Sequence, residues 1–167
     1  MVYNMFREMR RKAQQLSEED NIEILNSATS GVLAVLGDED YPYAVPVSYA
    51  YENGNIYIHG AISGHRRDAV LSHDKASFCV IDCDEVIPEK RTTCYRSVIA
   101  FGKASIIEDS EEKRRALILL GQKYSAEYEE DCLEEIRTEF SRTCVTKLEI
   151  EHLTGKAGLE YAKRENP

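Results

Sequence analysis

The sequence predicts an α+β fold, mainly β, in which a small antiparallel barrel carries interspersed helices. Three observations lead there. Asn53-Gly54 lies between two runs of alternating hydrophobicity, the strongest short-range hairpin signal, because a type I′ turn needs positive φ at both central residues. About six segments read as strands, with helical patterns between them. No G-x-G-x-x-G follows the first strand, which argues against a doubly wound dinucleotide-binding sheet.

The opening stretch through Leu16 is basic. Arg7, Arg10, Arg11 and Lys12 fit a solvated charge run better than an arm reaching an anionic ligand on a neighbouring subunit. Ser17 then caps a short helix with Glu18, Glu19 and Asp20 in its first turn and Ile22 and Leu25 turned inward. Residues 31–36 are a buried strand, 37–40 a turn, and 41–43 lead into the central hairpin.

A two-residue turn fixes the hairpin register, pairing Glu52 with Asn55, Ala50 with Tyr57, Ser48 with His59 and Pro46 with Ala61. Side chains alternate between faces, so Val45, Val47, Tyr49, Tyr51, Ile56 and Ile58 form a core face. The opposite face carries Ala44, Pro46, Ser48 and Ala50 with Tyr57 and His59. Such a face suits a flat ring, or simply another element or subunit. Pro46 lacks an N–H and places its strand at an edge or a bulge.

After Gly60-Ala61, Ser63 is the expected N-cap of a helix bearing His65, Arg66 and Arg67 in its first turn. Cations at a helix N-terminus are unfavourable without an anion, because the dipole there prefers negative charge. Two guanidinium forks beside free backbone N–H groups favour a bound phosphate over a solvated pair neutralised by Asp68.

Further on, 76–82 is a strand and 84–91, with Pro88 and many charges, a loop able to cover a site. Residues 95–107 form a long strand in which Gly102 marks a bulge or a close backbone approach. Ser110 caps a helix whose stripe is Ala116, Leu117, Leu120 and Tyr124. Residues 127–140 form a second helix with Leu133 and Ile136 inward, and 143–152 a closing strand. With no repeat, low-complexity tract or linker, residues 1–167 are expected to form one domain.

Composition narrows the function. A content of 43% hydrophobic and 31% charged residues is that of a soluble globular chain, and the net charge of −9 argues against non-specific nucleic-acid binding. Five cysteines without a short ligand pair read as free thiols in a reducing cytosol, so neither a metal site nor a disulfide is expected. No signal peptide or membrane-length apolar run is seen, which makes a cytoplasmic location and no membrane partner the expectation.

The run YPYAVPVSYAYENGNIYIHGA, then SGHRRDAVL and later YRSVIAFGKA, resembles the pyridoxamine-phosphate-oxidase-like split-barrel flavoproteins, and within them the nitroimidazole-resistance branch. The resemblance spans about residues 9–156. It implies a six-stranded antiparallel split β-barrel with flanking helices, a homodimer, and FMN at the subunit interface. Arg66 and Arg67, preceded by His65, match the basic pair that grips the flavin phosphate. Val45, Pro46, Val47 and Ser48 match the strand along the flavin ring; His59, Gly60 and Ala61 match the segment passing it, and Ser97 another contact. His59 matches the histidine near the reactive centre, as proton donor or substrate contact, with bonding to Ser48 or a backbone carbonyl as the structural alternative. Tyr95 and Arg96 bound a substrate pocket or serve a cross-strand structural role.

The resemblance thus implies an FMN-dependent oxidoreductase that reduces a small acceptor such as a nitroaromatic. NADH or NADPH would bind only transiently, since no dinucleotide motif is present. The alternative from another class is a flavin- or haem-binding protein that stores or senses its ligand. A deazaflavin on the same barrel is a further alternative, whereas true pyridoxamine-phosphate oxidase activity is disfavoured by the absence of its C-terminal basic motif.

Overall fold

The computed structural model describes residues 6–165, so the first five residues of the basic N-terminal stretch lie outside the described residues. Helix α1 (Glu18–Ser27) opens as expected. The Ser17 hydroxyl accepts the Asp20 N–H at 3.0 Å, and the Asp20 carboxylate accepts the Ser17 N–H at 3.2 Å. Such a reciprocal cap stabilises a helix by about 1 kcal/mol. Leu25 turns inward with Ile24, while Ile22 is only half-buried.

The strands are β1 (Gly31–Leu36), β2 (Pro42–Val47), β3 (Ala50–Glu52), β4 (Asn55–Ala61), β5 (Lys75–Ile87), β6 (Thr92–Ile106) and β7 (Thr143–Ala157). They form one antiparallel sheet in the order β2-β1-β5-β6-β7-β4-β3, the split-barrel α+β architecture that the sequence predicts. The sheet has seven strands where six were expected, because the strand entering the hairpin is two strands. β2 and β3 follow one another in sequence yet end the sheet on opposite sides, joined only by Ser48 and Tyr49.

That division corrects half of the predicted hairpin register. Ala50 pairs with Tyr57 and Glu52 with Asn55 around a turn with φ of 49° at Asn53 and 80° at Gly54, as expected. Pro46, however, pairs with Val32 of β1, while His59 and Ala61 pair with Val145 and Thr143 of β7. Tyr49 is the cause. Its ring is fully buried against Phe78, edge-on at 4.8 Å, which drags the chain into the core where a straight hairpin would have continued. Pro46 does lie on a terminal strand, as its missing N–H predicts.

Two clusters fill the fold. The barrel interior holds Leu33, Tyr49, Ile56, Ile58, Phe78, Val80 and Leu148, with Val45, Val47 and Tyr51 packed against it. A second cluster joins Tyr57 and Val145 on the outer face of β4 and β7 to a helix pair, α3 (Ser110–Ser125) and α4 (Glu129–Glu139). Asp109 caps α3, accepting the Glu112 N–H at 2.8 Å; the expected Ser110 lies one position too late. Leu133 of α4 is 43% exposed rather than inward, and Cys132 and Phe140 pack inward in its place.

The predicted loop at 84–91 is instead the end of a β-ribbon. The ladder continues past a bulge at Ile81/Cys83 to the pair Ile87 and Thr92, and Arg91 (φ 50°) completes the turn. Charges there read as a loop, but a ribbon exposed on both faces tolerates them. Gly102 sits at a second bulge, where a side chain would overlap the Glu149 backbone, as predicted. Helix α5 (Leu159–Glu165) packs on β6, and α2 (His65–Ser72) closes one end of the barrel, burying Ala69 and Val70. No helix among the described residues is long and apolar enough to cross a membrane.

The last turn of α3 fastens the β2–β3 bend. The Tyr124 hydroxyl accepts the Tyr49 N–H at 2.9 Å and lies 2.6 and 2.7 Å from the carbonyl oxygens of Thr29 and Tyr49, one of which takes its proton. Beside it, Lys123 Nζ lies 4.0 Å from the Tyr49 ring centroid and donates to Leu25 O at 3.3 Å, at the C-terminal end of α1.

Burial lowers the Lys123 ammonium to about 8 and pushes the Tyr49 phenol up. With the folded-state lysine below its ordinary 10.5, the unfolded chain binds more protons across that interval. Stability from this group therefore rises with pH above about 8, until Tyr49 ionisation opposes it above its ordinary 10.0. Urea midpoints should show wild type gaining on Lys123→Met as pH rises through this window; parallel profiles would refute the assignment.

Candidate functional site

Dividing the chain at Ser48–Tyr49 leaves a slit in the barrel wall. β2 is a terminal strand, and β4 beyond Ile58 pairs only with β7, so both present backbone N–H and C=O groups without a ladder partner. The first turn of α2 bridges the mouth of the slit. On the β2 side, the His65 ring stacks on Tyr43 at 4.2 Å, its Nε2 accepts the Asp38 N–H at 3.3 Å, and the Asp38 carboxylate lies 3.7 Å away. On the β4 side, Arg66 donates to the His59 carbonyl at 3.1 Å. A side chain at position 60 would overlap the Arg66 guanidinium, so Gly60 is what admits it.

The cap of α2 differs from expectation. Gly64 (φ 128°), not Ser63, is the N-cap, and no side chain bonds the first turn. The N–H groups of the first helical residues therefore have no side-chain cap and remain available to an anion. Arg67 has no closer ionic partner among the described residues than its neighbour Asp68, at 3.8 Å. The uncapped first turn and the Arg67 guanidinium, which meets only Asp68 among the described residues, make this helix tip cationic. His65, by contrast, is engaged by the β1–β2 turn.

Outside the slit, small side chains line the sheet. Pro46, Val32 and Cys79 form one cross-strand row, Ala44, Ala34 and Ser77 the next, and all are at least partly accessible. The rows continue into Ile99 and Phe101, each 40% exposed, and Ile81, 63% exposed, stands opposite Ser97. Val45 and Val47 face the interior, so of these two predicted contacts only backbone groups are available to a ligand. Ser48 is exposed at the bend.

His59 is exposed and lines a cleft of about 370 Å³ with Ser48 and Thr143, roofed by Leu117 and Leu120 of α3 and Ile136 of α4. Its imidazole points away from Arg66, since adjacent residues 59 and 60 project to opposite faces of β4. It makes none of the expected bonds to Ser48: Arg66 takes the carbonyl, and the ring opens on the cleft.

Tyr95, Arg96 and Ser97 are not brought to this place within one chain. Arg96 pairs with Ala157 and His59 with Val145, at opposite ends of β7 and roughly 40 Å apart along the strand. Arg96 is engaged there: its Nε lies 2.7 Å from Asp82, Nη2 lies 3.4 Å from Glu23, and the guanidinium sits 5.0 Å from the Tyr161 ring centroid. The Asp82 hydrogen bond and the nearby negative charges outweigh its burial and raise the guanidinium pKa. Lys156 Nζ lies 5.4 Å from the Tyr95 ring centroid. At the same end of the sheet as the N-terminal stretch, Phe6 stacks on His152 at 4.6 Å and Lys12 pairs with Glu8 at 2.7 Å. No group of three or more potential metal ligands occurs among the described residues.

Sequence reasoning missed the roles of Tyr43 and Asp38, which anchor His65, and of Lys123. Tyr124 was visible as a stripe residue, but its three-way bond to the bend was not.

Comparison with solved structures places this architecture. A protein provisionally assigned to 5-nitroimidazole antibiotic resistance, from Bacteroides thetaiotaomicron, is 22% identical with a TM-score of 0.69 and 86% coverage of each chain. A conserved hypothetical protein from Mycobacterium tuberculosis is 19% identical with a TM-score of 0.80, covering 96% of this chain and 94% of that one. An FAD and haem binding protein from Mycobacterium smegmatis is 21% identical with a TM-score of 0.74, covering 87% and 74%. At these identities the likeness is one of fold. No curated protein sequence matches. The pyridoxamine 5'-phosphate oxidase family model matches residues 17–157, most of the described chain, and the chain belongs to that family.

Proposed function

We propose that the chain is an FMN-dependent oxidoreductase acting on a small acceptor such as a nitroaromatic, with the flavin phosphate at the first turn of α2. The observation that carries this reading is Arg67, whose ion pair among the described residues is the 3.8 Å contact with Asp68, beside uncapped N–H groups at the mouth of a slit whose backbone edges lack ladder partners. The small residues Ala44, Pro46 and Ser48, all exposed, leave room for a flat ring near those edges. Residues and cofactor therefore fit. The family match and the fold shared with flavin-binding proteins support the same assignment.

Bound flavin would supply hydride or electron transfer to the acceptor. The chain's own residues do the rest: Arg67 and the α2 N–H groups hold the phosphate, while Arg66 fixes the β4 end. A ring nitrogen of His59 holds a proton toward the cleft. A second copy of the chain covers the apolar outer rows around Ile81, Ile99 and Phe101 and brings its own Ser97 and Tyr95 near the flavin, while Arg96 stays in its cluster with Asp82 and Glu23. That arrangement accounts for the distance of Ser97 and Tyr95 from His59 within one chain. NADH or NADPH serves as a transient donor. Haem storage is the second reading, favoured by the open His59 imidazole and by the FAD and haem binding relative.

Three outcomes check the proposal. Purified protein should show the two visible bands of a flavin that bleach with NADH or NADPH and recover with a nitroimidazole, recovery slowing on the order of 100-fold in His59→Asn. A Soret band alone, or flavin inert to both donors, rejects the reductase. Arg67→Ala should weaken FMN by about tenfold or more, the equivalent of one charge-assisted bond, and leave riboflavin unchanged; equal losses would remove the phosphate assignment. Sedimentation equilibrium should return the mass of two chains, and a persistent monomer would remove the interface.

A further inference from the structure

The chemistry of the cleft beside His59 is one-sided. Leu117, Leu120 and Ile136 wall it, retaining their small residual exposures of 8%, 5% and 9%. Glu135 and Glu139 stand among its lining residues, and no lysine or arginine does. Arg142 lies 3.3 Å from Glu139 and takes up its charge, whereas Glu135 has no ion-pair partner among the described residues. Its carboxylate is therefore the charge left to complement. The roof is thin as well. α4 reaches the sheet cluster only through Cys132 and Ile136, and an apolar groove of about 160 Å³ lies between α3 and α4 beside them. The two spaces share Gly121, Ser125, Cys132 and Ile136, so helix-pair packing is loose where a ligand would enter.

From the apolar walls, the unpaired Glu135 carboxylate and the His59 floor, we infer that this cleft binds a flat aromatic molecule carrying a basic nitrogen and rejects anionic aromatics. Resting on the flavin reading, this names the acceptor class: the ring lies against Leu117 and Ile136 near His59, and the ammonium points to Glu135. A cleft of about 370 Å³ holds one substituted ring system of drug-like size. A nicotinamide dinucleotide, with its pyrophosphate facing the Glu135 carboxylate, is disfavoured there, and the donor approaches from another side.

Three isosteric probes separate charge from shape: 4-nitrobenzylamine, 4-nitrobenzyl alcohol and 4-nitrobenzoate, titrated calorimetrically into the purified chain with and without added FMN. The expected order is amine, alcohol, benzoate, with the amine at least tenfold tighter than the benzoate. Glu135 is exposed on α4, so Glu135→Gln and Glu135→Lys should fold normally. The first should erase the amine's advantage while leaving alcohol binding unchanged, and the second should invert the order. Absence of binding by all three probes, equal affinities, or an order unchanged in Glu135→Lys overturns the assignment. A chain that takes no FMN yet sorts the probes by charge rejects the flavin reading alone. A flavin-loaded chain indifferent to charge rejects the cleft alone.

Discussion

The architecture depends on burying one aromatic ring. Tyr49 lies between an exposed serine and a buried alanine, and its fully buried ring packs edge-on against Phe78. A regular β-strand cannot turn two consecutive residues to covered surfaces unless both faces are covered. Here they are, by the barrel interior at Tyr49 and, on the side of α3, at the buried Ala50. The strand breaks accordingly, and its halves join opposite ends of the sheet. Tyr124 accepts the N–H that the break frees at Tyr49, which an apolar side chain at 124 would leave unmet.

Everything proposed for the site is a consequence of that break. A continuous hairpin would have paired His59 with Ser48 and used up the β4 backbone edge in a ladder. Because the strands part, one edge is free on each side, and α2 enters the gap with His65 on one lip and Arg66 on the other. Each of these two side chains staples one lip of the slit. The guanidinium left over is Arg67, so the phosphate argument rests on one arginine more than on the pair.

Short-range chemistry was legible in the sequence. The Asn53-Gly54 turn, the Ser17 capping box, the Gly102 close approach and the edge placement of Pro46 each follow from one or two residues whose backbone demands are specific. Errors arose where a local pattern was overridden from a distance. Hairpin register is local only until a long-range partner competes, and β1 claims β2 through six residue pairs. The charged 84–91 stretch reads as a loop because polarity normally marks one, yet a protruding ribbon is solvated on both faces. Leu133 satisfied the helical period but faces a groove, a distinction that periodicity cannot make.

The site divides along the same line. The motif SGHRR pointed correctly to a helix N-terminus, because glycine followed by arginines is a local arrangement. Which arginine reaches back to β4 could not be read, since the acceptor of Arg66 is the His59 carbonyl seven residues upstream, whose position is set by the pairing of β4 with β7. The same logic separates Arg96 from Ser97. Adjacent on β6, one is bound into an ionic cluster with Asp82 and Glu23 while the other shares the open outer face with Ile81. Strand alternation sends neighbours to different fates, so adjacency in a family motif is weak evidence of shared function. If the outer rows are the dimer surface, Ser97 meets the partner, whereas Arg96 must first release two carboxylates to touch any ligand. That cost argues for Arg96 as a residue that holds β5, β6 and α1 together rather than one that reads a substrate.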